Sequence, residues 1–476
     1  MIRARDAICL AFVGAALLSV AAQPIRGAEA RRPNVLLITA DDLGLVLSCY
    51  GETAIETPNL DALARRSTLF EVAYVTQASC SPSRSSMFTG LYPHGTGQYG
   101  LVNGGFELHP PLREQTIPAL LKRVGYRTGI IGKLHVAPED SFPFDVRLQT
   151  DMRDVRRAAE AVEPFLKDQS GPSFLMVNFS DPHAWRPDRQ SGDWSFLDQV
   201  KGLPERPKQV GEIPPFPFQK IDSPEQLKRV TGYYNTVLRL DAGVGLLLDT
   251  LERAGHADDT LILFVGDHGP PFARGKTTCY EAGLRVPFLV SWPGVSKPMR
   301  SRAMVSTVDL LPTILDAVGA EIPDGLHGRS LRPVVRGADG NWREYLAGEF
   351  HYHGGRPFYP RRAIRDQRYK LIYNLRAGEA KPSTGIDGDT AYRQSQQPKY
   401  ENAELRRVFD TFADPPEFEL YDLQSDPWEF RNLAKSSEHA QELARLKEAL
   451  QTWREETGDP LLTAEGWQMI GGREGQ

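Results

Sequence analysis

Four pairs of polar residues each come directly after a short apolar run, and their side chains are of types that bind metal ions and anions. The pairs are Asp41 and Asp42, Lys133 and His135, Asp181 and His183, and Asp267 and His268. A turn or a buried histidine would account for any one of them. Ligands of open α/β sheets, however, bind beyond the carboxyl ends of the strands. Four such pairs therefore predict one shared site.

The acidic residues of these pairs predict a metal ion. Asp41, Asp42 and Asp267 offer hard oxygen ligands, which suit Ca²⁺, or Mg²⁺, better than a thiolate-preferring metal. His268 would be a further ligand or a donor beside the ligands. The alternative is that Asp41 and Asp42 only cap a turn, but the other pairs favour a metal.

Cys80 begins a segment that continues to Arg84 and precedes a short helical stretch closed by Gly90. Backbone N–H groups at a helix N-terminus favour negative charge and lower the pKa of a thiol. These residues alone leave two interpretations of Cys80, a nucleophile or a buried apolar filler.

Residues 80–84 resemble the Cys-x-Pro-x-Arg signature of the type I sulfatases, in which the cysteine is oxidised to formylglycine. Other landmarks of that family follow in the same order at residues 41–44, 57–61, 132–135, 181–183, 266–269, 276, 284–287 and 419–422. The resemblance covers roughly residues 33–460. It implies an alkaline-phosphatase-like fold and hydrolysis of a sulfate ester or sulfamate.

The resemblance also implies a role for each site residue. Formylglycine made from Cys80 by a formylglycine-generating enzyme would be the nucleophile. The metal ligands would be Asp41, Asp42, Cys80, Asp267 and His268. Arg84 and Lys133 would hold the formylglycine diol, and His135 would be the base for its second hydroxyl. His183 and Lys276 would contact the transferred sulfate, and either would protonate the leaving atom.

Within the family, the resemblance is strongest to the heparan N-sulfatases, through residues 54–67, 127–145 and 453–460. Those enzymes have Asn where this chain has His268 and Arg where it has Lys276, which leaves an O-sulfatase as the alternative. A phosphoester hydrolase normally carries Ser or Thr in place of Cys80. A non-catalytic glycan-binding protein is disfavoured because the set of cations and histidines is intact.

Contacts to an anionic sugar are predicted for Asp181, His351 and His353. A cluster of basic residues lies nearby at positions 356, 361, 362, 365, 368 and 370. Its members would either add contacts to the sugar or form a solvated face.

The alternation of β-rich and helical patterns predicts the elements that position these residues. The apolar runs are residues 35–39, 128–131, 174–179, 261–265 and 287–291. They predict an α/β catalytic domain over residues 31–337, with a mainly parallel sheet flanked by helices. Helices are predicted at 59–66, capped by Asn59, and at 231–254, stopped by Gly255. Residues 202–224 are predicted to form a surface insertion.

A smaller antiparallel sheet with a closing helix is predicted for a C-terminal domain, residues 338–476. The strands are expected at 345–350, 363–365, 370–374 and 419–423, the helix at 437–452, and an irregular loop at 376–415.

The N-terminus has the pattern of a cleaved signal peptide. Arg3 and Arg5 precede an apolar run over residues 8–18, and the cut is expected after residue 22 or as late as residue 30. The run is shorter than the roughly 20 residues that span a bilayer, which disfavours a membrane anchor. We therefore expect a secreted or periplasmic protein.

Composition and cysteine content narrow the remaining function classes. The formal net charge of −5 argues against a nucleic-acid partner. After the predicted cleavage the chain keeps Cys49, Cys80 and Cys279, too few for a disulfide scaffold. A bridge between Cys49 and Cys279 stays open, as does the oligomeric state.

Overall fold

The computed structural model of the protein describes residues 32–168, 170–185, 194–338, 342–353, 358–379, 385–386, 389–400 and 403–472. The predicted signal peptide, residues 1–22 or 1–30, lies outside these ranges, as does Arg356. No helix in the described ranges combines the length and apolarity that crossing a bilayer requires.

Two sheets carry the fold. The strands of the larger sheet are β1 Asn34–Ala40, β2 Thr68–Tyr74, β3 Arg127–Gly132, β4 Val146–Leu148, β5 Ser173–Phe179, β6 Thr260–Gly266, β7 Phe288–Ser291 and β8 Met299–Ser306. Those of the smaller sheet are β9 Leu346–Phe350, β10 Arg361–Arg365, β11 Tyr369–Asn374 and β12 Phe418–Asp422. The orders are β4-β3-β5-β1-β6-β7-β2-β8 and β12-β11-β10-β9.

The larger sheet is mainly parallel, as predicted. Strand β7 alone runs against its neighbours β6 and β2, while every other pair is parallel. Alternate residues of β1 pack into two different hydrophobic clusters, Val35 and Leu37 into one and Leu36 and Ile38 into the other. A sheet that is covered on both faces in this way needs strands that are apolar throughout, which is why they appear as continuous apolar runs.

The helices lie between and after the strands. They are α1 Pro58–Arg65, α2 Cys80–Thr89, α3 Pro93–Thr96, α4 Ile117–Arg123, α5 Val155–Lys167, α6 Pro224–Arg253, α7 Glu281–Leu284, α8 Leu310–Val318, α9 Arg332–Val335, α10 Thr390–Ser395, α11 Ala403–Ala413, α12 Ala440–Glu456 and α13 Ala464–Gly471. Helix α6 begins earlier than predicted because Ser223 caps it, accepting a hydrogen bond from the backbone N–H of Gln226 at 3.2 Å.

The smaller sheet is antiparallel throughout and is covered by α12, as predicted. Leu446 and Leu450 of α12 pack against Ile364, Leu371 and Leu420 of the sheet. The described residues from Pro33 onward form one compact unit. The domain boundary at residue 337 stays a prediction.

Several local expectations were wrong. Strands β2 and β8 were missed because their sequences are mixed, with exposed Arg300 and Arg302 in β8. Asn59 does not cap α1; its side chain donates to Asp241, and Thr57 occupies the cap position. Residues 202–224 are not a purely surface insertion, since Phe216 and Phe218 are buried in the core.

One further expectation also fails, and one open question is answered. Residues 376–415 are not wholly irregular, because they contain α10 and α11. The sequence left a Cys49–Cys279 bridge open; in the structure Cys49, Cys80 and Cys279 are all free thiols and the bridge is not formed.

Part of the basic cluster is buried in ion pairs that join the smaller sheet to the rest of the chain. Arg362 donates to Asp459 at 2.7 and 2.8 Å and lies 3.6 Å from Glu349. Glu349 in turn accepts from the backbone N–H of His94 at 2.7 Å and contacts its ring at 2.6 Å. Both earlier interpretations of Arg362, a sugar contact and a solvated face, are therefore wrong.

The Glu349 network makes stability depend on pH. Burial alone would raise the pKa of Glu349, but His94 and Arg362 lower it to about 2. The stabilisation of the fold by the Glu349 carboxylate is therefore complete above the ordinary glutamate pKa of about 4.3 and is lost as the pH falls through about 2.

We expect Glu349→Gln to lower the free energy of unfolding at pH 7 by about 3 kcal/mol, since the carboxylate is lost from a buried charge network. The deficit should shrink below about pH 4.5, because the Glu349 carboxyl of the unfolded chain then takes up a proton while that of the folded protein, with a pKa of about 2, does not. Urea unfolding at pH 7, 5 and 3.5 measures it, with the exposed Glu344→Gln as control. A deficit that does not vary with pH would contradict the assignment.

Candidate active site

The four polar pairs found in the sequence meet at one edge of the larger sheet. Strands β3, β5, β1 and β6 are consecutive and parallel, so their carboxyl ends lie side by side. The pairs follow these strands directly: Lys133 and His135, Asp181 and His183, Asp41 and Asp42, and Asp267 and His268. This arrangement is the strand-end site expected of an open α/β sheet.

Cys80 reaches the same place from β2, as the first residue of helix α2. Its Sγ atom lies 3.2 Å from His268 Nε2, 3.4 Å from Lys276 Nζ and 3.6 Å from Asp41 Oδ1. Burial alone would raise the pKa of the thiol, but Lys133 and Lys276 outweigh that effect and hold the pKa well below its usual value. The surroundings of Cys80 therefore favour an anionic group.

Three ion pairs surround Cys80. Lys133 Nζ bonds Asp41 Oδ2 at 2.7 Å, and Lys276 Nζ bonds Asp42 Oδ1 at 2.7 Å. Arg84 Nε donates to Asp267 Oδ2 at 3.0 Å. Arg84 also donates from Nη1 to Lys133 O at 2.9 Å and to Asn178 Oδ1 at 3.0 Å, so it joins the ends of three strands.

The acidic side chains fit a metal ion. One ligand atom each of Asp41, Asp42, Cys80 and His268 lies within 4.8 Å of the other three. Asp42 Oδ2 is buried and accepts no hydrogen bond from the described residues, which leaves it available to a cation. His268 Nδ1 faces the carbonyl oxygen of Gly269 at 3.0 Å, so Nδ1 carries the hydrogen and Nε2 faces the cluster.

Asp267 lies beside this group and is held by protein donors. Its Oδ1 accepts from the backbone N–H of Asp42 at 2.9 Å, in addition to the bond from Arg84. Burial and the neighbouring Asp41 carboxylate raise the pKa of Asp267 to about 7. A bound cation would remove this penalty by compensating the two negative charges.

His135 and His183 complete the group around Cys80. His135 is held in the left-handed backbone region, at φ 57°, and burial lowers its pKa. His183 Nδ1 donates to the carbonyl of Ala184 at 2.6 Å, so Nε2 faces the site, 3.9 Å from Asp42 Oδ2. The segment that carries His135 begins at Gly132, where the backbone passes close to β5. Only glycine fits there, because a Cβ on residue 132 would lie 2.2 Å from Asn178 O.

The three predicted sugar contacts lie in different places. His353 lines the cleft above Cys80, and its Nδ1 is 3.0 Å from Ser79 Oγ. His351 is fully buried between Gln77 and Arg362 and does not reach the cleft. Asp181 is also fully buried, and both of its oxygens accept from Arg239 at 2.7 and 2.8 Å. Direct sugar contacts by His351 and Asp181 are not available in this structure.

The cleft above Cys80 has a volume of about 1110 Å³. Its floor is formed by Cys80, Lys133, His135, His183 and Lys276, and Trp194 stands at its side. A cleft of this size with convergent cations can hold an anionic sugar and present one anionic group to residue 80.

Residues 33–320 match the family model described as Sulfatase. The chain belongs to the sulfatase family. Residues 266–382 also match the model described as N-sulphoglucosamine sulphohydrolase, C-terminal. The protein is thus a sulfatase, a hydrolase of sulfate esters or sulfamates, and the predicted family is confirmed.

Individual relatives agree with this assignment. The sulfatase is 35% identical to N-sulphoglucosamine sulphohydrolase of Homo sapiens, over 92% of each chain. It is 30% identical to an ulvan-active sulfatase of Formosa agariphila, over 91% of this chain and 82% of that one. The fold is also that of a solved structure of a protein in complex with its substrate D-glucosamine-2-N,6-O-disulfate, with a TM-score of 0.66 and 21% identity over 90% of this chain and 99% of that one.

The loop that carries Lys276 is held in place from the C-terminal part of the sulfatase. Arg274 is fully buried and donates to Phe218 O at 3.1 Å, to Trp428 O at 2.7 Å and to Glu429 O at 3.0 Å. Glu429 Oε2 accepts from the backbone N–H of Glu281 at 2.6 Å. Arg274 and Thr277, on either side of Lys276, have φ near 70°. These contacts maintain a backbone shape that is unfavourable for residues with a Cβ.

Sequence reasoning missed Asn178 and Arg274. A signal existed for Asn178, which is a polar residue inside the apolar run 174–179. The partners of Arg274 are backbone carbonyls more than 50 residues away, and no side-chain pattern marks them.

We expect Arg274→Lys to lower kcat by about 10- to 100-fold, because one ammonium group cannot bond three carbonyls and Lys276 would be displaced. KM should change less. Steady-state kinetics on folded protein, checked by thermal unfolding, measures both, and the exposed Arg300→Lys is the control. Lower stability with an unchanged kcat would limit Arg274 to a structural role.

Proposed function

We propose that this sulfatase releases sulfate from the nitrogen of N-sulfoglucosamine in heparan or heparin fragments. The observation that carries the proposal is the 35% identity to the human N-sulphoglucosamine sulphohydrolase over 92% of both chains. The match of residues 266–382 to a C-terminal model of the same description supports it.

The nucleophile in this proposal is formylglycine made from Cys80 by a formylglycine-generating enzyme. Its hydrated form supplies two hydroxyls, one that attacks sulfur and a second whose deprotonation later expels sulfate. A plain serine or cysteine lacks the second hydroxyl and would retain the sulfate. Lys133, Lys276 and Arg84 surround residue 80 with positive charge that suits both the attacking oxygen and the sulfate.

A metal ion bound by Asp41, Asp42, Asp267 and His268 would lower the pKa of the attacking hydroxyl. We propose Ca²⁺, with Mg²⁺ as the alternative, because the set is dominated by carboxylate oxygens.

His183 is the proposed donor of the proton to the leaving nitrogen. Its Nε2 faces the cleft and its Nδ1 is fixed by the Ala184 carbonyl. Lys276 is buried and bonded to Asp42, so it contributes charge and orientation instead. His135 is the proposed base that takes the proton of the second hydroxyl, since it lines the cleft beside Cys80.

An O-sulfatase acting on another sulfated glycan is the second candidate. The residue types of His268 and Lys276 and the 30% identity to an ulvan-active sulfatase favour it. We further propose removal of a signal peptide and a secreted or periplasmic location, from the pattern of residues 1–22.

We expect the Cys80 peptide of the active protein to carry an aldehyde in place of the thiol, detected by peptide mass spectrometry. Cys80→Ser should lower turnover at least about 10³-fold, because the second hydroxyl is absent. Ser81→Ala, which preserves the Cys-x-Pro-x-Arg signature, is the matched control. Full activity with an unmodified Cys80 peptide would rule out the mechanism.

The substrate is tested by sulfate release from N-sulfoglucosamine and from 2-O- and 6-O-sulfated glucosamine. We expect kcat/KM for the N-sulfated sugar to exceed the others by at least about 100-fold, which lies well within what a site that hydrogen-bonds its substrate can achieve. Release from the O-sulfated sugars alone would support the second candidate instead.

A further inference from the structure

A side pocket of about 660 Å³ opens beside the sulfate site. It shares Asn103, Lys133, His183, Ala184 and Trp194 with the cleft. Its other lining residues are Arg153, Ser180, Trp185 and Asp41, whose carboxylate is paired with Lys133. Cys80 does not line it. A group bound here cannot be the sulfate that is transferred, but it can belong to the same substrate.

Arg153 brings a guanidinium group to this pocket. Its Nη2 donates to the carbonyl of His183 at 3.2 Å, and its backbone N–H donates to Asp151 at 3.0 Å. Within the described residues its guanidinium forms no ion pair, and the nearby Asp181 already accepts two bonds from Arg239. Most of the five N–H donors of the guanidinium are therefore left for a ligand.

Two tryptophans give the pocket an aromatic wall. The backbone of Trp185 pairs with Ser195 through hydrogen bonds of 2.7 and 2.9 Å, which holds Trp185 and Trp194 near each other. Trp194 is 49% exposed, and its ring lies 5.7 Å from that of His183, edge to face. A large exposed aromatic ring beside a polar site suits the C–H face of a pyranose, which is apolar while its rim is polar.

We propose that the side pocket binds a second anionic substituent of the substrate, a sulfate or a carboxylate, through Arg153. This rests on the proposed function, because the transferred sulfate must lie at residue 80 while the sugar extends past His183. Arg153 is the specificity residue, since guanidinium forms paired hydrogen bonds with both sulfate and carboxylate oxygens.

The experiment compares three substrates: N-sulfoglucosamine, its 6-O-sulfated form, and N-sulfoglucosamine linked to a uronic acid. Wild-type kcat/KM should be higher for at least one of the doubly anionic substrates. Arg153→Gln should reduce that preference by about 10- to 100-fold, as expected for a lost charged hydrogen bond. The substrate that loses its preference identifies the second anion as the 6-O-sulfate or the carboxylate.

Two variants control the measurement. Arg157→Gln removes an exposed arginine of helix α5, which begins two residues after Arg153; Arg157 does not line the pocket, and the change should leave the preference unchanged. Arg153→Lys keeps the charge but loses the paired hydrogen bonds, so it should retain only part of the preference, an intermediate result that stays measurable even if Arg153→Gln folds poorly.

The proposal is overturned if the wild type shows no preference, or if Arg153→Gln lowers kcat/KM for all three substrates equally. Equal losses would mean that Arg153 only supports His183 through its carbonyl. Failure of the proposed function is a separate result, in which wild type releases no sulfate from nitrogen. The same comparison would then be made with mono- and di-O-sulfated glucosamine.

Discussion

Three carboxylates and three cationic side chains meet at one end of the larger sheet, where each charge depends on its partner. Asp41 pairs with Lys133, Asp42 with Lys276 and Asp267 with Arg84. Removing one partner of a buried pair leaves the other uncompensated, which costs several kcal/mol. The pairs also set the geometry, because each joins a different segment: β1 to the turn after β3, β1 to the loop at 274–281, and β6 to α2.

The smaller sheet contributes to the same geometry, although none of its strands carries a residue on the floor of the cleft. Arg365 and Lys370 on β10 and β11 pair with Glu281, and Glu429 bonds the backbone of Glu281. Glu281 lies at the end of the loop that carries Lys276. Packing of the smaller sheet therefore helps to hold the loop that places Lys276 beside Cys80.

The sequence predicted the centre of the site better than its surroundings. Lys133, His183 and Asp267 were predicted to meet because the carboxyl ends of parallel strands form one edge, whatever the loops do. Arg362 and Lys370 were misjudged because their partners Asp459 and Glu281 lie about 90 residues or more away.

The two histidines after β9 show another limit of sequence reasoning. His351 and His353 are two residues apart, and a regular strand would give both the same face. The strand ends at Phe350, so one ring is buried at Arg362 while the other reaches the cleft. The strand end, which sequence patterns place least well, decides which histidine is accessible.

Every residue of α2 from Cys80 to Thr89 is buried, and Arg84 is bonded to Lys133, Asn178 and Asp267. An enzyme that recognises Cys80, Pro82 and Arg84 must contact side chains that the finished fold does not expose. The proposed oxidation of Cys80 therefore has to take place while the chain is still unfolded. After folding, the modifying enzyme can no longer reach these side chains. The active fraction of a preparation would therefore depend on how much of the chain was oxidised before it folded, and later exposure to the modifying enzyme would not raise it.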